Sequence, residues 1–286
     1  MNRVLVIGAH GQLGQSFRHW TPQYPNFQFF FEDLPAFDLL DREFLRQYFE
    51  STSINIVINC AAYTAVDQAE DEAEKAHLLN TEAIDLLCKL SKTFGFKLIH
   101  FSTDYVFDGT ALSPYKEEDM LNPLGVYGTT KAQGEKVMRT SGIDGWIIRT
   151  SWLFSPYGKN FVKTIFSLLQ NKDEISVVAD QTGSPTYALD LAASTLNALA
   201  QNPLFEGVQV YHFTNSGHTT WHAFATAIQQ QIKTQCKINP VKTDASFNKA
   251  QRPKFSVLNC EKIKKEFNLN PQSWESALED CIKRIK

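Results

Sequence analysis

No apolar run in this chain is long enough to span a bilayer, and no block of basic residues interrupts it. The first absence argues against a membrane-spanning helix. The second argues against a phosphate-tracking surface for nucleic acid, as does a formal net charge of -3. Cys60, Cys88, Cys236, Cys260 and Cys281 are scattered, odd in number and without Cys-x-x-Cys spacing. A disulfide framework and a thiolate metal site are therefore both unsupported, and reduced thiols in a cytoplasmic protein are expected. Among seven histidines only His218 and His222 sit four apart, and Thr219, Thr220 and Trp221 between them supply no carboxylate. No metal is expected. Met1 to Gly8 carries one basic residue and too short an apolar run for a signal peptide. There is no internal repeat and no low-complexity tract.

What is present is an ordinary globular composition, 43% hydrophobic and 21% charged over 286 residues. That length suits one large α/β unit or one unit with a smaller lobe. The first half alternates strand-like and helix-like segments. Val4–Ile7, Phe27–Phe31, Ile54–Cys60, Phe96–Phe101 and Gly145–Arg149 read as strands. Helical patterns follow from Gln12, over Asp41–Phe49 with Asp41 as N-cap, over Glu70–Lys92 and over Tyr127–Arg139. Residues 108–122 read as a surface loop and Asp180–Thr186 as a turn-rich connector. Beyond them a helix is expected over Ala188–Ala200, a strand over Val208–Phe213 and a helix over Trp221–Lys233. Regular βαβ alternation predicts an α/β fold, a Rossmann-type doubly wound parallel sheet with a smaller C-terminal substrate-binding lobe. Residues 1–150 form the expected dinucleotide-binding domain. Residues 151–286 form mainly the lobe, with some segments returning to the first domain.

Gly8-Ala9-His10-Gly11-Gln12-Leu13-Gly14 follows the first strand and opens the first helix. Glycines there allow a tight turn and bring backbone close to a pyrophosphate at the helix N-terminus. About twenty residues on, Glu32 and Asp33 end the second strand, where an acid holds a ribose 2′-hydroxyl. No arginine directly follows, which favours NAD(H) over NADP(H). Asp38 and Leu39 are candidates for the adenine pocket. Asn59 to Asp67 ends the third strand in small residues, among them Ala61 and Ala62, that let a cofactor pass close. Ser102, Thr103 and Asp104 end the fourth strand on the same edge. Tyr127 and Lys131 are one helical turn apart and share a face. An ammonium beside a phenol favours the phenolate and suits proton transfer at a carbonyl oxygen. Trp152, just past the fifth strand, either stacks on a sugar or ring substrate or packs in the core.

In this order the glycine loop, Asn59–Asp67, Ser102–Gly109, Tyr127-x-x-x-Lys131 and Arg149–Trp152 resemble the extended short-chain dehydrogenases/reductases. Within them the resemblance is to the branch of dTDP-4-dehydrorhamnose reductases. Asn80, the Asp180–Thr186 block, Thr219–His222 and Arg252-Pro253 extend the match nearly end to end. The resemblance implies NADPH or NADH as cofactor and a nucleotide sugar as substrate. It makes Tyr127 the proton donor to the C4 keto oxygen. Lys131 holds the nicotinamide ribose and lowers the Tyr127 pKa, and Thr103 completes the triad. Gly8, Gly11, Gln12, Leu13 and Gly14 wrap the pyrophosphate, while Ala62, Tyr63 and Thr64 line the nicotinamide side. Thr103, Asp104 and Trp152 contact the sugar, and Arg252 the diphosphate. A homodimer is also within the family pattern. Some members bridge it by Mg²⁺ through an acid early in the first helix, where this chain has Gln15; Asp190 alone is too little.

Two alternatives remain on the same fold. One is a non-catalytic nucleotide-binding regulatory subunit, since that of methionine adenosyltransferase resembles this family. The other is nucleotide-sugar epimerisation or dehydration. Dehydratases carry an acidic pair after the active-site threonine; here Tyr105 follows Asp104.

Overall fold

The computed structural model describes residues 2–201, 203–244 and 249–285. Its centre is a six-stranded sheet whose paired strands all run parallel. Five of them are β1 (Asn2–Ile7), β2 (Phe27–Glu32), β3 (Ile56–Asn59), β4 (Lys97–Thr103) and β5 (Gly145–Thr150). The sixth is the strand Val208–His212, and the spatial order is Val208–His212, β5, β4, β3, β1, β2. After β1 the chain steps to one side for β2 and then to the other for β3. The sheet therefore reverses between β1 and β3, which opens a crevice beyond their carboxyl ends.

Burial follows the two-residue period of the strands. Val4 and Val6 face one layer, with Leu13 and Phe17 of the helix α1 (Gln12–Trp20) and with Leu191 and Leu196. Leu5 and Ile7 face the other, with Leu45 and Phe49 of α2 (Arg42–Ser51) and with Ile84 and Leu87. Asp41 caps α2 as expected, its side chain accepting from Phe44 N at 3.0 Å.

The helix expected over Glu70–Lys92 is divided. Short helices at Val66–Ala69 and Ala73–His77 lead into a wide turn at Leu78–Glu82, and only then into Ala83–Phe94. The wide turn swings Asn80 inward, where it is fully buried. A periodicity of apolar residues does not register this insertion, because the apolar face resumes on the same side.

A third core lies after β5. Val162, Ile165 and Leu169 pack with Phe224 and Ile228 and with Leu278 and Cys281. These come from the helices Phe161–Asn171, Trp221–Ile232 and Trp274–Ile285. Two intervening segments rejoin the sheet instead. The helix Ala188–Ala200 packs on α1, and Val208–His212 extends the sheet beside β5. No helix among the described residues is long and apolar enough to cross a membrane.

Candidate active site

A cleft of about 800 Å³ runs along the carboxyl edge of the sheet, from Asp33, Phe37 and Leu39 past the glycine loop to Trp152 and Trp221. Gly8 forms its floor with φ +78°, and a Cβ there would press on Ala61 N and the Cys60 carbonyl carbon. β1 and β3 can approach this closely only through a glycine. Gly11 is the N-cap of α1 and brings no side chain, so no side chain caps the first turn. An uncapped helix start facing a cleft is suited to an anion. Asp33 sits where β2 ends; its Oδ2 accepts from His10 N at 2.7 Å and Oδ1 from Leu34 N at 2.8 Å. Its carboxylate thus fixes the loop and also lines the cleft. Asp38, Leu39, Ala61, Ala62 and Thr64 line it as well. This donor-rich, narrow-floored groove with an acid at the second strand fits a dinucleotide.

Three expected cofactor and substrate residues stand outside the cleft lining. Gly14 packs instead, since a Cβ would overlap the Gly8 carbonyl oxygen and hold α1 off β1. Tyr63 turns its hydroxyl to Glu72 Oε2 at 2.7 Å. Its backbone is clamped by Asn80, whose Oδ1 accepts from Tyr63 N at 3.0 Å and whose Nδ2 donates to Tyr63 O at 3.1 Å. Arg252 is engaged elsewhere: Nη2 meets Asp67 Oδ2 at 2.6 Å, and the pair straps the C-terminal segment over Val66–Ala69.

Beyond the glycine loop, the ends of β4 and of the helix Val126–Thr140 converge. Gly128 makes this possible, because a Cβ would overlap Tyr105 O. The helix starts at Gly125 with no cap of its own, and Glu70 Oε1 accepts from Val126 N at 2.9 Å instead. Thr103 Oγ1 donates to Asp104 Oδ1 at 3.1 Å and accepts from Tyr105 N at 3.2 Å. Ser102 Oγ and Asp104 Oδ2 are buried at the cleft with no hydrogen-bond partner among the described residues. Burial pushes the Asp104 carboxyl up to about 6.

Tyr127 and Lys131 both face the cleft, but the expected tuning of one by the other is not what the chain alone provides. Desolvation pushes the Tyr127 phenol up to about 12; the Thr103 hydroxyl opposes this and Asp104 adds to it. Lys131, 2% exposed, donates from Nζ to Phe101 O at 2.6 Å and lies 3.0 Å from His100 Nε2. Burial lowers its own pKa to about 8, with Glu135 acting in the other direction. Desolvation thus governs the phenol. A phenol held protonated is the form that gives a proton to a ketone oxygen.

Trp152 lines the far end of the cleft and also stacks, its indole 3.5 Å from that of Trp221 and 9° from parallel. The Asp180–Thr186 connector explains the pair. Gly183 leaves room that a Cβ would take from the Trp152 ring, and Gln181 Oε1 accepts from Trp221 Nε1 at 3.2 Å. Trp221, Lys159, Phe161 and Tyr105 also line the cleft; Trp221 and Tyr105 fall within blocks that carry the resemblance but are assigned no role by it, and no local pattern marks Lys159 or Phe161. Gln15 donates to His10 O, and Asp190 accepts from Asn215 and Gln272. Among the described residues no cluster of three His, Cys, Asp or Glu is placed to hold a metal.

The family model of the RmlD substrate binding domain matches residues 1–286. The chain belongs to this family. It is 36% identical over 288 residues to a dTDP-4-dehydrorhamnose reductase of Aggregatibacter actinomycetemcomitans, covering 98% of each chain. It is 38% identical over 282 residues to the spore coat polysaccharide biosynthesis protein SpsK of Bacillus subtilis strain 168, covering 99% of this chain and 97% of that one. A crystal structure of dTDP-4-dehydrorhamnose reductase from Bacillus anthracis str. Ames in complex with NADP superposes with a TM-score of 0.92. It shares 35% identity over 99% of both chains.

Proposed function

We propose that this protein is an NADPH- or NADH-dependent reductase of the C4 ketone of dTDP-4-dehydro-β-L-rhamnose, giving dTDP-β-L-rhamnose for cell-surface polysaccharide. The observation that carries the reading is the meeting of Thr103, Tyr127 and Lys131 in one cleft with the uncapped start of α1. The full-length relatives named for this reduction support it. Residues 1–150 hold the dinucleotide in this reading. Residues 151–286 mainly hold the sugar nucleotide, apart from the segments that rejoin the sheet. A homodimer belongs to the same reading and is measurable by light scattering.

The bound dinucleotide supplies the hydride. The chain's own residues do the rest. Gly8, Gly11, Gln12 and Leu13 present backbone to the pyrophosphate, and Asp33 faces the adenosine ribose. As the hydride adds to the carbonyl carbon, the C=O π pair moves to oxygen and takes the phenolic proton of Tyr127. The phenolate left behind is stabilised by the Thr103 hydroxyl and by a proton held at Lys131. Thr103 and Asp104 orient the sugar, and Trp152 with Trp221 closes the far wall. A cofactor deuterated at the transferable C4 position should deliver its label to C4 of the sugar, read by mass spectrometry of the product. Product without label would sink the assignment.

A further inference from the structure

Lys131 is a buried lysine that no carboxylate touches. It is 2% exposed, and among the described residues its hydrogen-bond partners are Phe101 O at 2.6 Å and His100 Nε2 at 3.0 Å. Neither is an anion. A buried ammonium needs a negative charge within reach, or it gives up its proton. One helical turn on stands Glu135, on the same side of the helix Val126–Thr140 and fully buried. Arg149 of β5 grips its carboxylate. Nε reaches Oε1 at 3.0 Å and Oε2 at 3.2 Å, and Nη2 reaches Oε2 at 2.7 Å. The other guanidinium nitrogen, Nη1, donates to Glu117 O and to His212 Nε2, each at 3.2 Å. His212 Nδ1 donates in turn to Tyr115 O at 3.1 Å, which leaves Nε2 as the acceptor. Glu135 is thus held in place, and it acts on Lys131 through its field rather than through a hydrogen bond.

We propose that Glu135 is a positioning residue for the proton of Lys131: its buried carboxylate, fixed by Arg149, keeps the lysine an ammonium in the resting cleft. In water a charge one helical turn away is felt weakly, but here water is excluded and the field is strong. Of the paired charges, the carboxylate is the one that acts on Lys131. Burial draws the proton off the lysine and Glu135 opposes it, leaving a midpoint of about 8 and an ammonium at neutral pH.

Among the described residues no other group around Lys131 supplies that charge. His100 of β4 is kept neutral by burial and by the ammonium beside it. Tyr127, on the lysine's own helix, is pushed up to about 12, and burial raises the Cys60 thiol after β3. Asp104, after β4, acts on Tyr127 and Tyr105. The ammonium is the form that the proposed function requires, since it faces the phenolate left when Tyr127 gives its proton. The inference rests on that reading for its purpose but not for its test.

NMR of protein labelled with carbon-13 at lysine Cε follows the titration of Lys131 directly, and Lys131→Met identifies the signal. In the wild type it should titrate near 8. Glu135→Gln keeps the shape of the side chain and removes its charge, so the midpoint should fall by about one pH unit or more. That variant leaves Arg149 without its partner. Glu135→Gln combined with Arg149→Met is therefore made as well, since a buried pair replaced whole by uncharged side chains is tolerated. There too the midpoint should fall. A merely structural Glu135 would lower turnover at every pH and leave the midpoint where it was. A midpoint within about 0.2 pH units of the wild type in whichever variant folds, or a wild-type midpoint below about 6.5, overturns the inference whatever the enzyme's activity. The alkaline limb of kcat/KM should move down with the signal. A signal that moves while the limb stays put upholds the link between Glu135 and Lys131 and counts against the part of Lys131 in the reductase reading.

Discussion

Gln12 Oε1 accepts from Asn160 Nδ2 and from Ser155 Oγ, each at 3.0 Å, so the glycine loop is tied directly to a segment almost 150 residues later. The residue that the proposed reading sets against the pyrophosphate thus also closes the cleft from the other side. Gln12→Ala removes the tie and leaves two donors without their acceptor. Cofactor and sugar nucleotide should both bind about fivefold to thirtyfold more weakly, corresponding to roughly 1–2 kcal/mol. Isothermal titration of each ligand checks this, and a loss confined to one ligand would contradict it.

Tyr127→Phe removes only the hydroxyl that the proposed function assigns as the proton donor. Turnover should fall by roughly 10²–10⁴-fold, while cofactor affinity stays within about twofold. Single-turnover kinetics with a parallel fluorescence titration of the cofactor separates the two effects. Wild-type turnover in this variant would remove Tyr127 as the acid.

The chain gave up its sheet readily because each strand carries its own apolar period and each turn its own glycine or cap. Val4–Ile7 and Asp41 need no distant partner to be read, and Gly8 to Gly14 announces a close approach by composition alone. The site was legible where chemistry is local, as at Tyr127 and Lys131 one turn apart. It was not legible where a residue acts through long-range packing. Trp221 meets Trp152 only because Gln181 and Gly183 bring them together. Tyr63 and Arg252 carry suitable groups but spend them on Glu72 and Asp67. The wide turn at Asn80 depends on a partner fifty residues away, Thr130 Oγ1, to which Nδ2 donates at 3.1 Å.

That junction is testable through Gly134. A Cβ there would overlap the Asn80 carbonyl oxygen, and both are backbone-fixed parts of packed helices. Gly134→Ala should destabilise the fold by about 1–3 kcal/mol through overpacking. Because the same helix carries Tyr127 and Lys131, turnover should fall as well. Chemical denaturation and steady-state kinetics on one preparation read both. An unchanged midpoint would mean that the helices separate freely.

Asp104 sets a pH dependence of known sign. Its folded pKa is raised by burial from 3.8 to about 6, so the folded state binds more protons than the unfolded state between those values. Its contribution is present below the unfolded pKa and is lost as pH rises through about 6. Asp104→Asn removes that loss. The variant should therefore gain stability over the wild type as pH rises from about 4 to 7, by on the order of 2–3 kcal/mol. Urea denaturation across this range checks it; a difference that stays flat, or that grows as pH falls, would contradict it.

The most direct measurement of the reductase reading is oxidation of NADPH or NADH by the purified protein, followed by absorbance. The 4-keto-6-deoxy nucleotide sugar is supplied together with its 3,5-epimerase, and each component is omitted in turn. Cofactor oxidation should appear only when both are present, with dTDP-rhamnose accumulating in equal amount. Binding of cofactor without any oxidation in the complete mixture would contradict the assigned chemistry and favour a regulatory role for the same fold.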